Sequence, residues 1–305
     1  MYIRLIILTL VMAMNVEAQN VFVPRMGIGA NTGVAVSLHN WGGTGCENTA
    51  DGQVIADTFD CVVTCPSYEL ASDPELPVGA YDLGLHQAVF ALREFGLLYE
   101  WLRKHKREHS IDGKGLERRY AVGASGGGLT ALMMNKLAPQ TFSGVFVINP
   151  LVGVWSHTET AKWGVGVRQH SFEIRDIADD RHLAVMRKRK NKAVVGFVAG
   201  SEDTVALYSQ TVMAHIDMTM RGFETYFVGV YPGVIFFPFQ DAGHSLGDRT
   251  YITQTYAGPA FAARTKSKTD FERRSEISFP VTGGAYVVKY GKTSVKLKFV
   301  KKRGK

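Results

Sequence analysis

Short, unbroken runs of apolar residues recur along this chain and are separated by glycine-containing turns. Unbroken apolar runs are typical of parallel strands, because helices cover both faces of a parallel sheet. Strands are therefore predicted wherever such a run is bounded by turn residues. They are Val34–Leu38, Cys61–Thr64, Tyr120–Val122, Gly144–Ile148, Ala193–Ala199 and, with a less regular pattern, Phe223–Tyr231.

Between several of these runs, apolar residues recur every three or four positions, which predicts amphipathic helices. The longest such pattern extends from Tyr81 to about His109, and its last turns are basic, as suits a helix C-terminus. Asn48–Phe59 and Val205–Met220 are predicted as further helices. Strands that alternate with helices predict an α/β protein with a mostly parallel central sheet flanked by helices.

Two segments depart from this alternation. Residues 151–192 are predicted as an insertion after the sixth strand position, and Trp155 within it either shapes a substrate pocket or packs the insertion onto the domain. Residues 266–305 contain three short strand patterns, which predict a small C-terminal β appendage. The predicted domain organisation is thus residues 19–265, including the insertion, followed by the appendage at 266–305.

Charge is concentrated at the C-terminus. The 305-residue chain carries a net charge of +7, and the segment Lys292–Lys305 holds seven basic and no acidic residues, which accounts for all of it. No aromatic-rich basic groove accompanies this tail, so a nucleic-acid partner is not predicted. The tail either docks on the domain or contacts an anionic surface.

The N-terminus has the pattern of a signal peptide. Arg4 precedes the apolar run Leu5–Met14, and Val16-Glu17-Ala18 fits a small-x-small cleavage site. Residues 1–18 are therefore predicted to be removed, which places the protein in the periplasm or outside the cell. The apolar run is too short to favour a stable membrane anchor.

Export makes the three cysteines candidates for a disulfide. Cys61 and Cys65 lie four apart in one predicted strand, about 13 Å from each other, which is too far to bridge. Cys46 follows a glycine-rich loop and Cys65 ends the strand, so a Cys46–Cys65 disulfide and three free thiols both remain open. The spacing of the cysteines matches no metal site.

The strongest chemical signal is Gly123-Ala124-Ser125-Gly126-Gly127, which follows a predicted strand and precedes a run of helix-forming residues. This is the G-x-S-x-G pattern of a nucleophile elbow, in which a sharp turn exposes the serine. Ser125 is therefore the candidate nucleophile. The backbone N–H of Gly126, at the helix N-terminus, is a candidate oxyanion donor.

Other candidate site residues follow the ends of other predicted strands. Trp41, in His39-Asn40-Trp41-Gly42-Gly43, is the candidate for the second oxyanion N–H, with Asn40 next to it. Asp203 is the candidate orienting acid, although it could instead cap the following helix, and Glu202 is its rival. His244, in a glycine-containing loop after the last predicted strand, is the candidate general base.

The motifs HNWGG, GASGG, GSED and DAGHS occur in the order and setting of an α/β-hydrolase-fold serine hydrolase, which the chain resembles from about Val34 to Arg264. A looser resemblance, carried by YDLGLHQAV, NKLAP and FEIRDI, is to an uncharacterised bacterial group of that superfamily. Two features depart from the family pattern. Only one or two strands can precede Val34, and the oxyanion loop has Asn-Trp where esterases often have a further glycine.

The sequence thus predicts an exported serine hydrolase that cleaves a small-molecule ester, or a peptide or other amide, through Ser125, His244 and Asp203. A carboxylic ester is favoured over a peptide. No cofactor or metal is implied. The alternative is a catalytically silent binding protein on the same fold, with the basic tail contacting anionic surfaces.

Overall fold

The computed structural model describes most of the central domain and the strands near the C-terminus. The described residues are 21–40, 49–67, 80–138, 141–150, 193–203, 206, 211, 224–226, 233–239, 243, 253–254, 257–266, 276–281, 284–290 and 295–301.

An eight-stranded sheet forms the centre of the fold, with spatial order β1-β3-β2-β4-β5-β6-β8-β7 when the strands are numbered along the chain. Neighbouring strands pair in parallel, except that β1 is antiparallel to β3 at one edge. The prediction of a mostly parallel sheet is therefore confirmed. The strands are β1 (Val21–Phe22), β2 (Gly33–Leu38), β3 (Cys61–Thr64), β4 (Arg119–Ala124), β5 (Gly144–Ile148), β6 (Val194–Gly200), β7 (Glu224–Tyr226) and β8 (Gly233–Phe239).

Helices cover both faces of this sheet, as the unbroken apolar strands require. Every residue of β2, β3, β5 and β6 is buried. The helices of the described ranges are α1 (Thr49–Phe59), α2 (Ala80–His105), α3 (Gly113–Glu117), α4 (Gly126–Leu137) and α5 (Gly258–Lys266). Helices α1 and α5 pack together on one face, while α2 and α4 pack together on the other.

An aromatic cluster fixes the elbow strand against α1 and α5. The ring of Phe59 lies 5.3 Å from that of Tyr120 and 5.9 Å from that of Phe261, measured between centroids. The hydroxyl of Tyr120 is hydrogen-bonded to Thr265 Oγ1 over 2.7 Å. Burial raises the pKa of Tyr120 above its ordinary value, because the phenolate would lose its hydration in this cluster.

The segment that leads into the elbow strand differs from its prediction. Helix α2 ends at His105 rather than near His109, and His105 Nδ1 contacts the carbonyl of Trp101 over 2.8 Å. Helix α3, before the elbow strand, is an additional helix that the sequence did not predict. Asp112 caps α3 by accepting from Gly115 N over 2.8 Å. A helix of this length has too few residues to establish a periodic pattern.

The far edge of the sheet, formed by β7 and β8, also differs from its prediction. Within the predicted strand Phe223–Tyr231, the described residues form the edge strand β7, and residues 227–231 lie outside the described residues. Strand β8 was missed, although it lies between β6 and β7. Its residue Pro238 has no N–H to donate, which argues against a central strand in sequence. Within the described residues the pairing with β7 runs to Ile235, and Pro238 is in register with Ala199 of β6.

The described residues include two cysteines, of which one is a thiol and the other is in a disulfide. Cys61 is a buried thiol that donates to the carbonyl of Phe59 over 3.2 Å, while Cys65, directly after β3, is disulfide-bonded. The expectation of three free thiols is therefore wrong. Cys46 lies outside the described residues, and the Cys46–Cys65 pairing stays a prediction.

The three strands predicted near the C-terminus are present as a separate antiparallel sheet of order β11-β10-β9. They are β9 (Glu276–Val281), β10 (Gly284–Tyr290) and β11 (Val295–Lys301). The predicted signal peptide and the insertion at 151–192 lie outside the described residues. No helix within the described ranges is both long and apolar enough to cross a membrane.

Candidate active site

Ser125 lies at the apex of the turn between β4 and α4, in the geometry that the elbow pattern predicts. Its backbone has φ 51° and ψ −118°, a region that residues with a Cβ rarely occupy. Such a conformation costs about 1–3 kcal/mol and persists only where the surroundings enforce it. The turn lifts Ser125 above the carboxyl edge of the sheet, where its side chain is partly exposed.

The surroundings explain the glycines of the motif. A Cβ on Gly123 would overlap the carbonyl oxygen of Gly127, and a Cβ on Gly127 would overlap the carbonyl oxygen of Leu38. A Cβ on Gly128 would lie 2.8 Å from Cβ of Pro150. Strand, helix and the neighbouring strand β2 therefore approach so closely that only hydrogen fits at these positions.

The candidate oxyanion donors lie on two sides of this close approach. Gly126 is buried at the first residue of α4, where a helical N–H has no partner within the helix. Asn40 lies two residues beyond β2, and its carbonyl is 2.9 Å from His39 Nδ1. The contact of Gly127 with Leu38 brings these two segments together. Trp41 lies outside the described residues, and so does Trp155.

The candidate acid Asp203 follows β6 in a tight turn. Its N–H donates to the Gly200 carbonyl over 3.1 Å, and its Oδ1 accepts from Ala206 N over 2.9 Å. This second bond has the pattern of an N-cap, although the helix predicted at Val205–Met220 lies outside the described residues apart from Ala206 and Thr211. Asp203 is also 4% exposed, whereas its rival Glu202 is exposed. A buried carboxylate next to the elbow's sheet edge suits an orienting role better than a solvated one.

The candidate base His244 lies outside the described residues, but the residue before it is placed. Gly243 follows β8, is exposed, and accepts a hydrogen bond at its carbonyl from Asn149 Nδ2 over 3.2 Å. Parallel strands end at the same edge of a sheet, so β4, β6 and β8 end at one edge, with the end of β5 between those of β4 and β6. The segments that follow β4, β6 and β8 carry Ser125, Asp203 and Gly243 respectively.

Asn149 is a site residue that the sequence did not reveal. It ends β5, is 1% exposed, and has φ 43°. Its Oδ1 accepts from Gly200 N over 2.8 Å. The only sequence signal was an Asn-Pro pair after a strand, which indicates a strand end but no chemistry.

A cavity of about 40 Å³ lies under the elbow, on the α1 side of the sheet. Its described lining includes Ser37, Asp51, Ala124 and Thr253. A water molecule needs roughly 10–15 Å³ of such volume, so the cavity has room for a few waters rather than for a substrate. Within the described residues, no group of three or more His, Cys, Asp or Glu side chains could hold a metal ion.

Comparison with known proteins finds similarity in structure alone. No family model and no curated protein matches the chain. TT1662 from Thermus thermophilus is 13% identical, with a TM-score of 0.51 over 81% of this chain and 92% of that one. Dipeptidyl peptidase 4 from Porphyromonas gingivalis is also 13% identical, with a TM-score of 0.51 over 79% of this chain and 32% of that one.

A further solved structure, the carboxylesterase EstE1 cloned from a metagenomic library, is 18% identical over 81% of this chain and 83% of that one, with a TM-score of 0.48. At these identities a likeness concerns the fold. The mostly parallel sheet, the helices on both faces and the strained serine between β4 and α4 agree with the likeness to TT1662 and to dipeptidyl peptidase 4. The chain therefore has the α/β-hydrolase fold.

Proposed function

We propose that the protein is a serine hydrolase that cleaves a carboxylic ester or amide by acyl transfer. The observation that carries this proposal is the conformation of Ser125, held at φ 51° on a strand-turn-helix apex. Strain of this kind concentrates at functional sites, because folding alone gives no reason to keep it. Ser110 also has a positive φ (55°), so the distinguishing feature of Ser125 is the combination of φ 51° with ψ −118° at the apex between a strand and a helix.

In the proposed mechanism, Ser125 Oγ attacks the substrate carbonyl while His244 accepts its proton. The N–H groups of Gly126 and Trp41 stabilise the oxyanion that forms. Collapse of the tetrahedral intermediate expels the alcohol or amine, to which His244 returns the proton. Water, deprotonated by His244, then hydrolyses the acyl-enzyme and releases the acid and free Ser125.

Asp203 would orient His244 and stabilise its imidazolium. Its burial supports this role, since a carboxylate shielded from water interacts more strongly with a neighbouring cation. One oxygen, Oδ1, accepts from Ala206 N and so fixes the carboxylate plane. The other oxygen, Oδ2, would accept from the histidine N–H. Capping and catalysis are compatible uses of one side chain.

For the substrate we favour a carboxylic ester over a peptide, with Asn40 and Trp155 lining its pocket. A structural neighbour is named as a dipeptidyl peptidase, so amide cleavage stays the rival. Both reactions use the same elbow and oxyanion donors, and they differ in the leaving group that His244 must protonate. We also propose export, on the strength of the signal-peptide pattern at residues 1–18.

The proposal is tested by turnover of matched chromogenic substrates. Nitrophenyl esters of increasing acyl length are compared with nitroanilides that carry the same acyl groups, using the wild type and Ser125→Ala. We expect ester turnover that is lost in Ser125→Ala. Faster turnover of the anilides would favour a peptidase, and equal rates for wild type and variant would contradict the proposal.

A second candidate function, binding to an anionic surface, is favoured by the register of the C-terminal sheet. Lys289 of β10 pairs directly with Lys296 of β11 and, on its other side, with Glu276 of β9. The one acidic residue of this row offsets only one of the two lysines, and a bound polyanion would offset the other. Sedimentation with phosphatidylglycerol vesicles, compared with phosphatidylcholine vesicles, tests this. Equal sedimentation of the protein with the two kinds of vesicle would contradict this candidate function. So would a double variant, Lys289→Glu with Lys296→Glu, that sediments with phosphatidylglycerol vesicles as well as the wild type does.

A further inference from the structure

One dipeptide at the end of β5 is hydrogen-bonded to each of the segments that carry the proposed triad. The carbonyl of Ile148 accepts from Ser125 N over 2.9 Å. Asn149 N donates to the carbonyl of Val198 in β6 over 2.7 Å. The side-chain amide of Asn149 adds contacts to Gly200, at the end of β6, and to Gly243, which follows β8.

The two ends of that amide have different partners. Oδ1 accepts from the N–H of Gly200. The carbonyl of Gly200 in turn accepts from the N–H of Asp203. Nδ2 donates to the carbonyl of Gly243, the residue before His244. One planar group therefore joins the turn of the acid to the loop of the histidine.

Only an asparagine satisfies these requirements together. The position needs an acceptor and a donor on a short side chain, and a backbone at φ 43°. Asparagine is among the few residues besides glycine that adopt such a φ readily. Aspartate would supply the acceptor but, when ionised, no donor for Gly243, and glycine would supply neither. At 1% exposure, water is poorly placed to substitute for the missing bonds.

We propose that Asn149 is a positioning residue, which sets the distance between His244 and Asp203 by joining Gly243 to Gly200. The inference rests on the proposed function, because it assigns a role within that triad. The pair of bonds spans segments 51 and 94 positions from Asn149 in sequence. Their loss would leave the fold's core intact while releasing the histidine loop from the acid turn.

A displaced histidine has a defined kinetic signature. Pairing with a carboxylate raises the pKa of a histidine, because it stabilises the imidazolium. When the pairing loosens, that pKa falls, and the acid limb of the pH–rate profile moves to lower pH. The rate at the optimum also falls, by about 10- to 100-fold for a displacement on the order of 1 Å.

The test uses inactivation of the purified protein by a fluorophosphonate, followed across pH, in wild type and in Asn149→Gly. Glycine suits the φ of this position, so the variant loses the side-chain bonds without backbone strain. We expect a rate constant for inactivation about 10- to 100-fold lower, with an acid limb at lower pH and an affinity for the probe little changed. The melting temperature should fall, because two buried hydrogen bonds are lost, while unfolding stays cooperative. Asn135→Gly, at a buried asparagine of α4, is the control. It should lower the melting temperature but leave the inactivation rate and the acid limb unchanged.

Each outcome of this test either supports or overturns the positioning role of Asn149. Equal rates for wild type and Asn149→Gly, or equal losses in Asn149→Gly and Asn135→Gly with no movement of the acid limb, overturn the positioning role. A wild type that does not react overturns the proposed function, and the inference with it. If Asn149→Gly does not fold, Asn149→Asp replaces it, because it retains the acceptor for Gly200. Inactivation of Asn149→Asp at the wild-type rate overturns the inference.

Discussion

The backbone N–H of Ser125 donates to the carbonyl of Ile148 over 2.9 Å, so the apex of the elbow is tied to the next strand of the sheet. This bond runs across the carboxyl edge from β4 to β5. It shows how the strained φ of Ser125 is maintained: the rest of the sheet, rather than the turn itself, holds the residue in place.

Removing the Cβ of Ser125 should therefore release strain. We expect Ser125→Gly to be more stable than Ser125→Ala by about 1 kcal/mol, because glycine adopts φ 51° without a steric penalty. Both variants lack the hydroxyl, so their difference isolates the backbone term. Urea unfolding measures it. If Ser125→Gly is equally or less stable, the turn is not strained as described.

The close approach of α4 to β2 predicts the effect of adding one methyl group at Gly127. Gly127→Ala should lose about 1–3 kcal/mol of stability and its reactivity with fluorophosphonates, since the new Cβ would overlap the carbonyl of Leu38. Gly96→Ala is the control, because nothing lies within 4 Å of that Cβ in α2. It should gain about 0.5–1 kcal/mol from helix propensity. Equal effects of the two substitutions would contradict the packing described for the elbow.

Replacing one carboxylate oxygen of Asp203 by an amide nitrogen tests its proposed role as the orienting acid. Asp203→Asn can keep the Oδ1 acceptor for Ala206 N, so stability should change little, while ester turnover should fall by several orders of magnitude, on the order of 10⁴-fold. Glu202→Gln, at an exposed neighbour, should leave turnover unchanged. A large loss in Glu202→Gln with none in Asp203→Asn would assign the acid to Glu202.

The raised pKa of Tyr120 predicts a dependence of stability on alkaline pH. The unfolded tyrosine loses its proton near pH 10, where the folded one still holds it, so stability falls as pH rises above about 10. Tyr120→Phe loses the hydrogen bond to Thr265 and about 1 kcal/mol at neutral pH. Its deficit relative to wild type should shrink above pH 10. A constant deficit, measured by denaturant unfolding, would show that burial does not hold the proton.

Much of the sheet could be predicted from sequence because its strands are buried on both faces. β3 and β5 have the predicted bounds, and the elbow strand and its helix lie where the G-x-S-x-G pattern requires. Strand β8 could not be predicted in the same way, because Pro238 has no N–H to donate and because the place of β8 between β6 and β7 depends on the strand order.

The candidate site residues also differ in how far the sequence could predict them. Ser125 and Asp203 could be proposed from sequence because each proposed role requires only local context, a turn after a strand in each case. The role of Asn149 depends on which strands are neighbours: Gly200 and Gly243 reach it only because β5, β6 and β8 are adjacent in the sheet. No local pattern encodes such a contact, so sequence indicated only that a strand ends there.

The central claim is that Ser125 is a nucleophile, and mass spectrometry of the fluorophosphonate-treated protein tests it most directly. We expect one adduct per molecule, located on the peptide that contains Ser125, and no adduct on Ser125→Ala. Denatured wild type, in which the triad is dispersed, should not react. A folded wild type that forms no adduct, or an adduct on another serine, would contradict the account.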